Sequence, residues 1–468
     1  MQVTEEQIRS IVEATVKQLT GQAGTGGSRP WLCDSAEEAI ASAKASQRDL
    51  LDMSLEKRAK LIEAMRAASR QNAKRLAQIA NEETGYGHVE DKTAKNLLAA
   101  DKTPGVEDLE AGAFTGDYGL TLVERAPFGV IGAITPSTNP TSTVINNSIS
   151  MIAAGNAVVY NPHPGAKRAS TETMRILNEA IVGAGGPASL ICTVKNPTLE
   201  SGKTIMEHPD IPLLAITGGE AVVKVAMKTG KKVIAAGPGN PPVIVDDTAD
   251  IPQAAKDIVA GASFDNNVLC IAEKEVFAFE KIADKLMDEM EKNGAFRIRG
   301  ADIDKVAKTV LVEKNGEYSP GRDFVGRDAA VILQKSGVNF TGTPKLVIAE
   351  VPENHPFITT EMLMPVLGIA RVMSNNIDDA IDKALKAEHS YKHTAMIHSQ
   401  NVSHLSKAAK LMNTTIFVKN APSYAGLGFE GEGYTTLTIA TPTGEGLTSA
   451  RSFTRIRRCV LHGSFRIV

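Results

Sequence analysis

Only four cysteines occur in the 468 residues, Cys33, Cys192, Cys270 and Cys459, far apart and without a C-x-x-C pair. That spacing excludes a zinc cluster and a disulfide framework and fits a reducing compartment. No run of eighteen apolar residues is present, and no basic segment followed by an apolar one opens the chain. A spanning helix and an ordinary secretory signal are therefore both excluded, and a cytoplasmic protein with no membrane partner is expected. Positive charge is not in excess: the formal net charge is -3, so nucleic acid is excluded as a partner and a small substrate is expected. Neither G-x-G-x-x-G nor G-x-x-x-x-G-K-[ST] occurs, which removes the standard dinucleotide turn and the P-loop.

What remains is a chain that is 43% hydrophobic and 22% charged, long enough for two or three globular units. In the first twenty residues, Thr4 and Gln7 have capping-box spacing, and Ile8, Ile11, Val12, Val16 and Leu19 share one face of a helix. The Gly/Ser-rich stretch 21–30 isolates this amphipathic helix (1–20) as a flexible linker would. The helix reads equally as a frayed arm or oligomer contact and as a docking peptide for another protein. From Asp34 to about Ala100 the pattern is helical throughout.

From residue 126 onward the pattern changes. "APFGVIGAITP", "NAVVYNP", "SLICTV", "LLAIT", "KVIAA" and "PPVIVDD" are β-branched runs separated by helical stretches, the signature of a parallel, doubly wound α/β sheet. In such sheets ligands sit beyond the carboxyl ends of the strands, which is where "TPSTNP", "YNPHPGA" and "TGGEAVV" fall. Gly218 and Gly219 bridge a strand and a helix start, where free backbone N–H groups can take a pyrophosphate. By themselves they are more often packing glycines. A second alternating region includes "EVFAFE", "LVIAEV", "LGIARVM", "TAMIHS" and "TIFVKN". A β-rich tail follows, of the kind that commonly pairs with a neighbouring subunit. Its Arg451, Arg455, Arg457 and Arg458 read as solvated or interface residues.

In order and separation, "FGVIGAITPSTNP", "TGGEAVV", "FDNNVLC", "EMLMPV" and "TIFVKN" resemble the landmarks of the aldehyde dehydrogenase superfamily. "AAGPGNPPVIVDDTADI", "VGRDAA" and "PTGEGLTSARSFTRIRRCVL" resemble its coenzyme-A-acylating branch from bacterial microcompartments, most of all the propionaldehyde type of propanediol utilisation. The resemblance implies a three-part fold: an NAD/CoA-binding domain over 31–241, a catalytic domain over 242–430, and a small oligomerisation element. That element would combine a segment near 115–128 with the tail 431–468, giving a homo-oligomer, dimer or tetramer. It also implies that the 1–20 helix binds a shell or lumen protein inside a microcompartment.

The same resemblance assigns the site. Cys270 is the nucleophile, and Asn139 the amide that joins the cysteine's own N–H on the oxyanion; an Asx turn before Pro140 is the alternative for Asn139. Thr217, Gly218 and Gly219 match the turn at the cofactor phosphates, and Glu361 matches the glutamate that holds the nicotinamide ribose. Pro162 and His163 stand near the adenosine, where a lysine is usual. Hydrolytic members carry a water-activating glutamate in an E-L-G-G-K segment; here "AAGPGNP" is expected to put Ala235 in its place. A thioester spared by water can wait for coenzyme A. His393 could assist thiol deprotonation, although a structural histidine is the commoner outcome. The expected reaction is thus a short aliphatic aldehyde, propanal favoured, with NAD and coenzyme A giving acyl-CoA and NADH, with no metal. A hydrolytic enzyme and a non-catalytic shell protein are the alternatives of other kinds.

Overall fold

The computed structural model describes residues 30–466. The amphipathic helix expected over 1–20 and the linker 21–30, Pro30 apart, lie outside the described residues. A helical layer comes first, Ala36–Leu51, Leu55–Thr84 and Val89–Lys102. Ser35 and Ser54 cap the first two by accepting from the N–H groups of Glu38 (3.2 Å) and Lys57 (3.3 Å), each cap being worth about 1 kcal/mol. The long helix ends at Gly85, whose φ of 67° is left-handed, the conformation glycine adopts without a Cβ penalty. Its buried stripe of Leu61, Ile62, Met65, Ser69, Ala73, Leu76, Ala77 and Ala80 recurs at helical spacing.

The first region supplies β1 (Leu32–Cys33), β2 (Gly112–Gly116), β3 (Gly119–Pro127), β4 (Val130–Thr135), β5 (Ala157–Pro162), β6 (Ile191–Val194), β7 (Leu213–Thr217) and β8 (Lys232–Ala236). The chain then crosses to β9 (Pro242–Val245), β10 (Glu275–Phe279), β11 (Ala295–Ile298), β12 (Leu311–Lys314), β13 (Glu317–Pro320), β14 (Leu346–Glu350), β15 (Val366–Val372), β16 (Thr394–His398) and β17 (Ile416–Lys419). Last come β18 (Ile439–Ala440), β19 (Gly446–Leu447) and β20 (Thr454–His462). Two parallel sheets result, ordered β1-β6-β5-β4-β7-β8 and β11-β14-β15-β10-β9-β16-β17. Helices cover both faces, so the central strands are buried throughout and largely apolar: every residue of β5 and β10 is buried, with Asn161 and Glu275 as their polar members. Each fully buried Val, Ile or Leu in these strands contributes about 1.5–3 kcal/mol.

The third sheet is small, antiparallel and exposed, ordered β2-β3-β20. Here the tail differs from expectation in extent. Only Thr454–His462 joins this sheet, pairing along β3 of its own chain from Thr454↔Pro127 to His462↔Gly119. The preceding segment is built into the first domain instead. Thr436 and Thr438 donate to the side-chain oxygens of Asn146 (3.4 Å) and Asn147 (2.9 Å), and Phe453 is buried in the first core. The reason is chemical. Asn146 and Asn147 are polar groups in a fully buried helix, Pro140–Ala153, and the threonine-rich run supplies donors to their side-chain oxygens. In the arginine cluster, Arg451 pairs with Asp108 through Nε (2.7 Å), while Arg455, Arg457 and Arg458 are exposed along β20.

Candidate active site

The carboxyl ends of β4, β5, β7 and β8 converge on a cavity of about 380 Å³. The first sheet reverses its strand order between β4 and β7, so the cavity lies at its topological switch point. Its walls bring together all of Cys270, Asn139, Thr217, Gly218, Gly219, Glu361, Pro162 and His163. The opposite wall comes from the second domain through Val268–Ile271, Glu361 and Leu363, and Thr436, Leu437 and Ile439 close one side.

Three successive non-glycine residues before the thiol, Asp265, Asn266 and Asn267, have φ of 49°, 51° and 65°. Asp and Asn tolerate this left-handed region better than other side chains, which is one physical reason for "DNN" at this turn. Their side chains then fix it. Asp265 accepts from the His88 N–H (2.8 Å), from Lys92 Nζ (3.0 Å) and from Lys95 Nζ. Asn266 donates to Gly326 O (3.0 Å) and Asp328 Oδ1 (2.7 Å). Asn267 donates to Ala262 O (2.8 Å) and Glu273 O (2.9 Å). The loop carrying Cys270 is thus tied to both domains.

Asn139 precedes Pro140 at the start of a helix but makes no side-chain cap, so the Asx-turn alternative fails. Its Oδ1 accepts from Lys95 Nζ at 2.6 Å. A lysine can only donate, so the amide oxygen must face it and the Nδ2 end is left for donation. Thr138 Oγ1 takes one Nδ2 hydrogen (3.3 Å). Lys95 was not singled out in the sequence, nor was Lys92; both are buried. Two lysines three residues apart on one face of an otherwise amphipathic helix were the available signal.

Burial pushes the Cys270 thiol up to about 12; the Glu361 carboxylate pushes the same way, while Lys274, the cysteine's own N–H and Lys95 pull it down. Glu361 is raised to about 7, chiefly by burial, against the pull of Lys274 and the Gly239 N–H. His163 accepts from the Gly165 N–H (3.1 Å) through Nδ1, and burial, with Arg322 nearby, lowers its pKa. His393 is buried outside the cavity wall and held neutral, lowered to about 4 by desolvation; its Nδ1 meets Thr394 Oγ1 at 2.9 Å.

One expectation is corrected. Ala235 does not face the thiol: it is fully buried in the first core, and Ala236, Gly237 and Pro238 form the wall. Side chains alternate along a strand, so a slip of one residue in reading β8 exchanges core for cavity. The chemistry drawn from it survives, because Ala236 also offers no base. Glu361 is the one carboxylate among the described residues of the wall.

The residues fit a dinucleotide. Gly219 starts the helix Glu220–Met227 without a side-chain cap, and a Cβ there would meet nothing within 4 Å, so a diphosphate can approach the start of this helix closely. Among the described residues no group of three His, Cys, Asp or Glu is placed to hold a metal.

The aldehyde dehydrogenase family profile matches residues 33–434. The acetylating acetaldehyde dehydrogenase EutE of Salmonella typhimurium is 47% identical over 471 residues, 100% of both chains. The CoA-propanoylating propanal dehydrogenase of the same organism is 48% identical over 437 residues, 93% of each. Among solved structures, the Rhodopseudomonas palustris propionaldehyde dehydrogenase with bound CoA and an acylated cysteine superposes with a TM-score of 0.90 at 47% identity, covering 93% of this chain and 99% of that one. The propionaldehyde dehydrogenase from the fucose-utilisation microcompartment of Clostridium phytofermentans gives 0.91 at 48%, covering 94% and 100%. The chain belongs to the aldehyde dehydrogenase family.

Proposed function

We propose that the protein is a CoA-acylating aldehyde dehydrogenase, converting a short aliphatic aldehyde, NAD and coenzyme A into acyl-CoA, NADH and a proton. The observation that carries this is a cysteine on a cavity wall whose neighbouring strand end, Ala236–Pro238, holds no base for water. The likeness to acetaldehyde and propanal acylating enzymes supports it. Propanal is the favoured substrate and acetaldehyde or butyraldehyde the alternative, since one methylene is worth only about 1–3 kcal/mol in discrimination.

Cys270 Sγ adds to the aldehyde carbonyl, and the Cys270 N–H and Asn139 Nδ2 hold the resulting oxyanion. Lys95 keeps Asn139 turned for that task, and Asp265 keeps Lys95 in place. A bound NAD would supply the acceptor for the hydride lost from the Cys270 hemithioacetal, whose carbon then becomes the carbonyl of a thioester on Sγ. Thr217, Gly218 and Gly219 would hold the NAD diphosphate, Glu361 the ribose beside the nicotinamide, and Pro162 with His163 the adenosine. The apolar wall of Val268, Leu269, Leu427 and Ile439 limits water. The acyl group then passes from Sγ to the coenzyme A thiol, and Cys270 leaves as thiolate.

The small sheet exposes Phe114, Ile456 and Val460 on one face and Leu122 and Leu461 on the other, and the first face is suited to a homo-oligomer contact. The 1–20 helix is read as a peptide that docks on a shell or lumen protein of a bacterial microcompartment. No described helix is long and apolar enough to cross a membrane. The deciding assay follows NADH with C2 to C6 aldehydes, with and without coenzyme A. Strict dependence on coenzyme A supports the proposal; free acid formed at the same rate in its absence overturns it.

A further inference from the structure

A buried lysine beneath the nucleophile is unused by the reaction as described. Lys274 is 1% exposed and lies four residues after Cys270, immediately before β10. Its Nζ places all three hydrogens inside the nucleophile's own loop, on Asn267 O (2.9 Å), Asn267 Oδ1 (2.5 Å) and Leu269 O (3.0 Å). Residues 267–274 are thereby closed into a ring with Cys270 at its turn. All three partners are neutral oxygens. A buried ammonium costs several kcal/mol to desolvate, so a neutral side chain would fill the space at lower cost if filling were the only role.

The charged groups around this lysine are few. Glu361 faces it from the cavity wall, followed by Cys270, Glu275 and Glu273. Burial raises the pKa of Glu275 well above the usual carboxylate range, and both its carboxyl oxygens are unpartnered. Glu273 accepts from the Ser423 N–H (2.8 Å) and Oγ–H (2.7 Å) and is raised to about 7 by burial. Glu388, similarly raised to about 7, faces Glu275, and His393 is neutral. Lys95 acts on Cys270 from the helix Val89–Lys102. Glu361 is thus the chief counter-charge to Lys274, and it stands with Cys270 on the cavity wall.

We propose that Lys274 is a positioning residue: it holds the 267–270 segment closed directly after the left-handed residues 265–267, and its charge biases Cys270 toward the thiolate. This rests on Cys270 being the nucleophile, but the test reads the thiol directly and does not depend on which aldehyde or acyl acceptor is used. The full-length enzyme, free of substrates, is alkylated at pH 8 with neutral iodoacetamide and with anionic iodoacetate, and modification of Cys270 is followed by peptide mass spectrometry. In Lys274→Met and Lys274→Gln, iodoacetamide should react about tenfold more slowly, the loss produced by one unit of thiol pKa. The iodoacetate-to-iodoacetamide rate ratio should also fall several-fold, because the local positive field is gone. Lys274→Arg, which keeps the charge, should stay within about twofold of wild type on both readouts, well inside that tenfold. Neutral variants that slow both reagents equally, or an arginine variant as slow as methionine, would overturn the electrostatic role. If Lys274→Met does not fold, the comparison of glutamine with arginine carries the same test.

Discussion

Replacing Asp265 by Asn removes the one carboxylate that two buried ammonium groups, Lys92 and Lys95, share; all three side chains are at most 3% exposed. An orphaned buried charge costs about 3–5 kcal/mol, but a lysine can escape by losing its proton, which sets a ceiling. With an ordinary pKa of 10.5, neutralising one lysine at pH 7 costs 3.5 units, about 4.8 kcal/mol at 1.36 kcal/mol per unit. At pH 9 the same arithmetic leaves 1.5 units, about 2 kcal/mol. The sign follows from Lys92, whose pKa is already lowered to about 8 by burial and by Lys95. A lysine depressed in the folded state is destabilising below that value, and the burden lifts as pH rises toward 10.5. The stability deficit of Asp265→Asn relative to wild type should therefore be several kcal/mol at pH 7 and less than half of that at pH 9. Urea unfolding of both proteins at the two pH values, followed by tryptophan fluorescence and circular dichroism, measures it. A deficit of the same size at pH 7 and pH 9, or none at either, would refute the reasoning about the buried triad.

Cys270→Ala should abolish NADH formation while NAD still binds, as read by calorimetry; residual turnover near wild type would end the covalent mechanism. Asn139→Ala should lower kcat by about 10²–10³, the usual effect of removing one oxyanion donor, and a change confined to KM would assign it to substrate placement instead. Ala236→Glu should introduce coenzyme-A-independent acid formation, whereas Ala235→Glu should destabilise the first domain by burying a carboxylate in its core; the two are separated by product analysis and thermal melting. Deleting residues 1–20 should leave kcat and KM for aldehyde unchanged, while fusing them to a fluorescent protein should carry it into shells. Loss of activity on deletion would make the helix part of the enzyme body.

The alternation of β-branched runs with helical stretches was enough to define two doubly wound parallel sheets, because a strand buried on both faces must be apolar throughout and its crossover must be a helix. The roles of the cysteine, the asparagine and the glycine turn came from resemblance to family motifs; residue type and local spacing alone left Gly218 and Gly219 as packing glycines. What decided the rest was contact between segments far apart in sequence. That Asn139 is turned by Lys95, and Lys95 held by Asp265, depends on a helix near residue 95 meeting a loop near residue 265, and no local pattern encodes that meeting. Whether Ala235 or Ala236 faces the thiol is a matter of strand register, in which one residue exchanges core for cavity. The threonine-rich segment before β20 looked like part of an oligomerisation tail by its position, yet it packs on the first domain because buried asparagines there need partners. Likewise, "FDNN" in sequence is four polar and aromatic letters; only the folded chain shows a left-handed turn there, with the segment directly after it closed by the ammonium of Lys274.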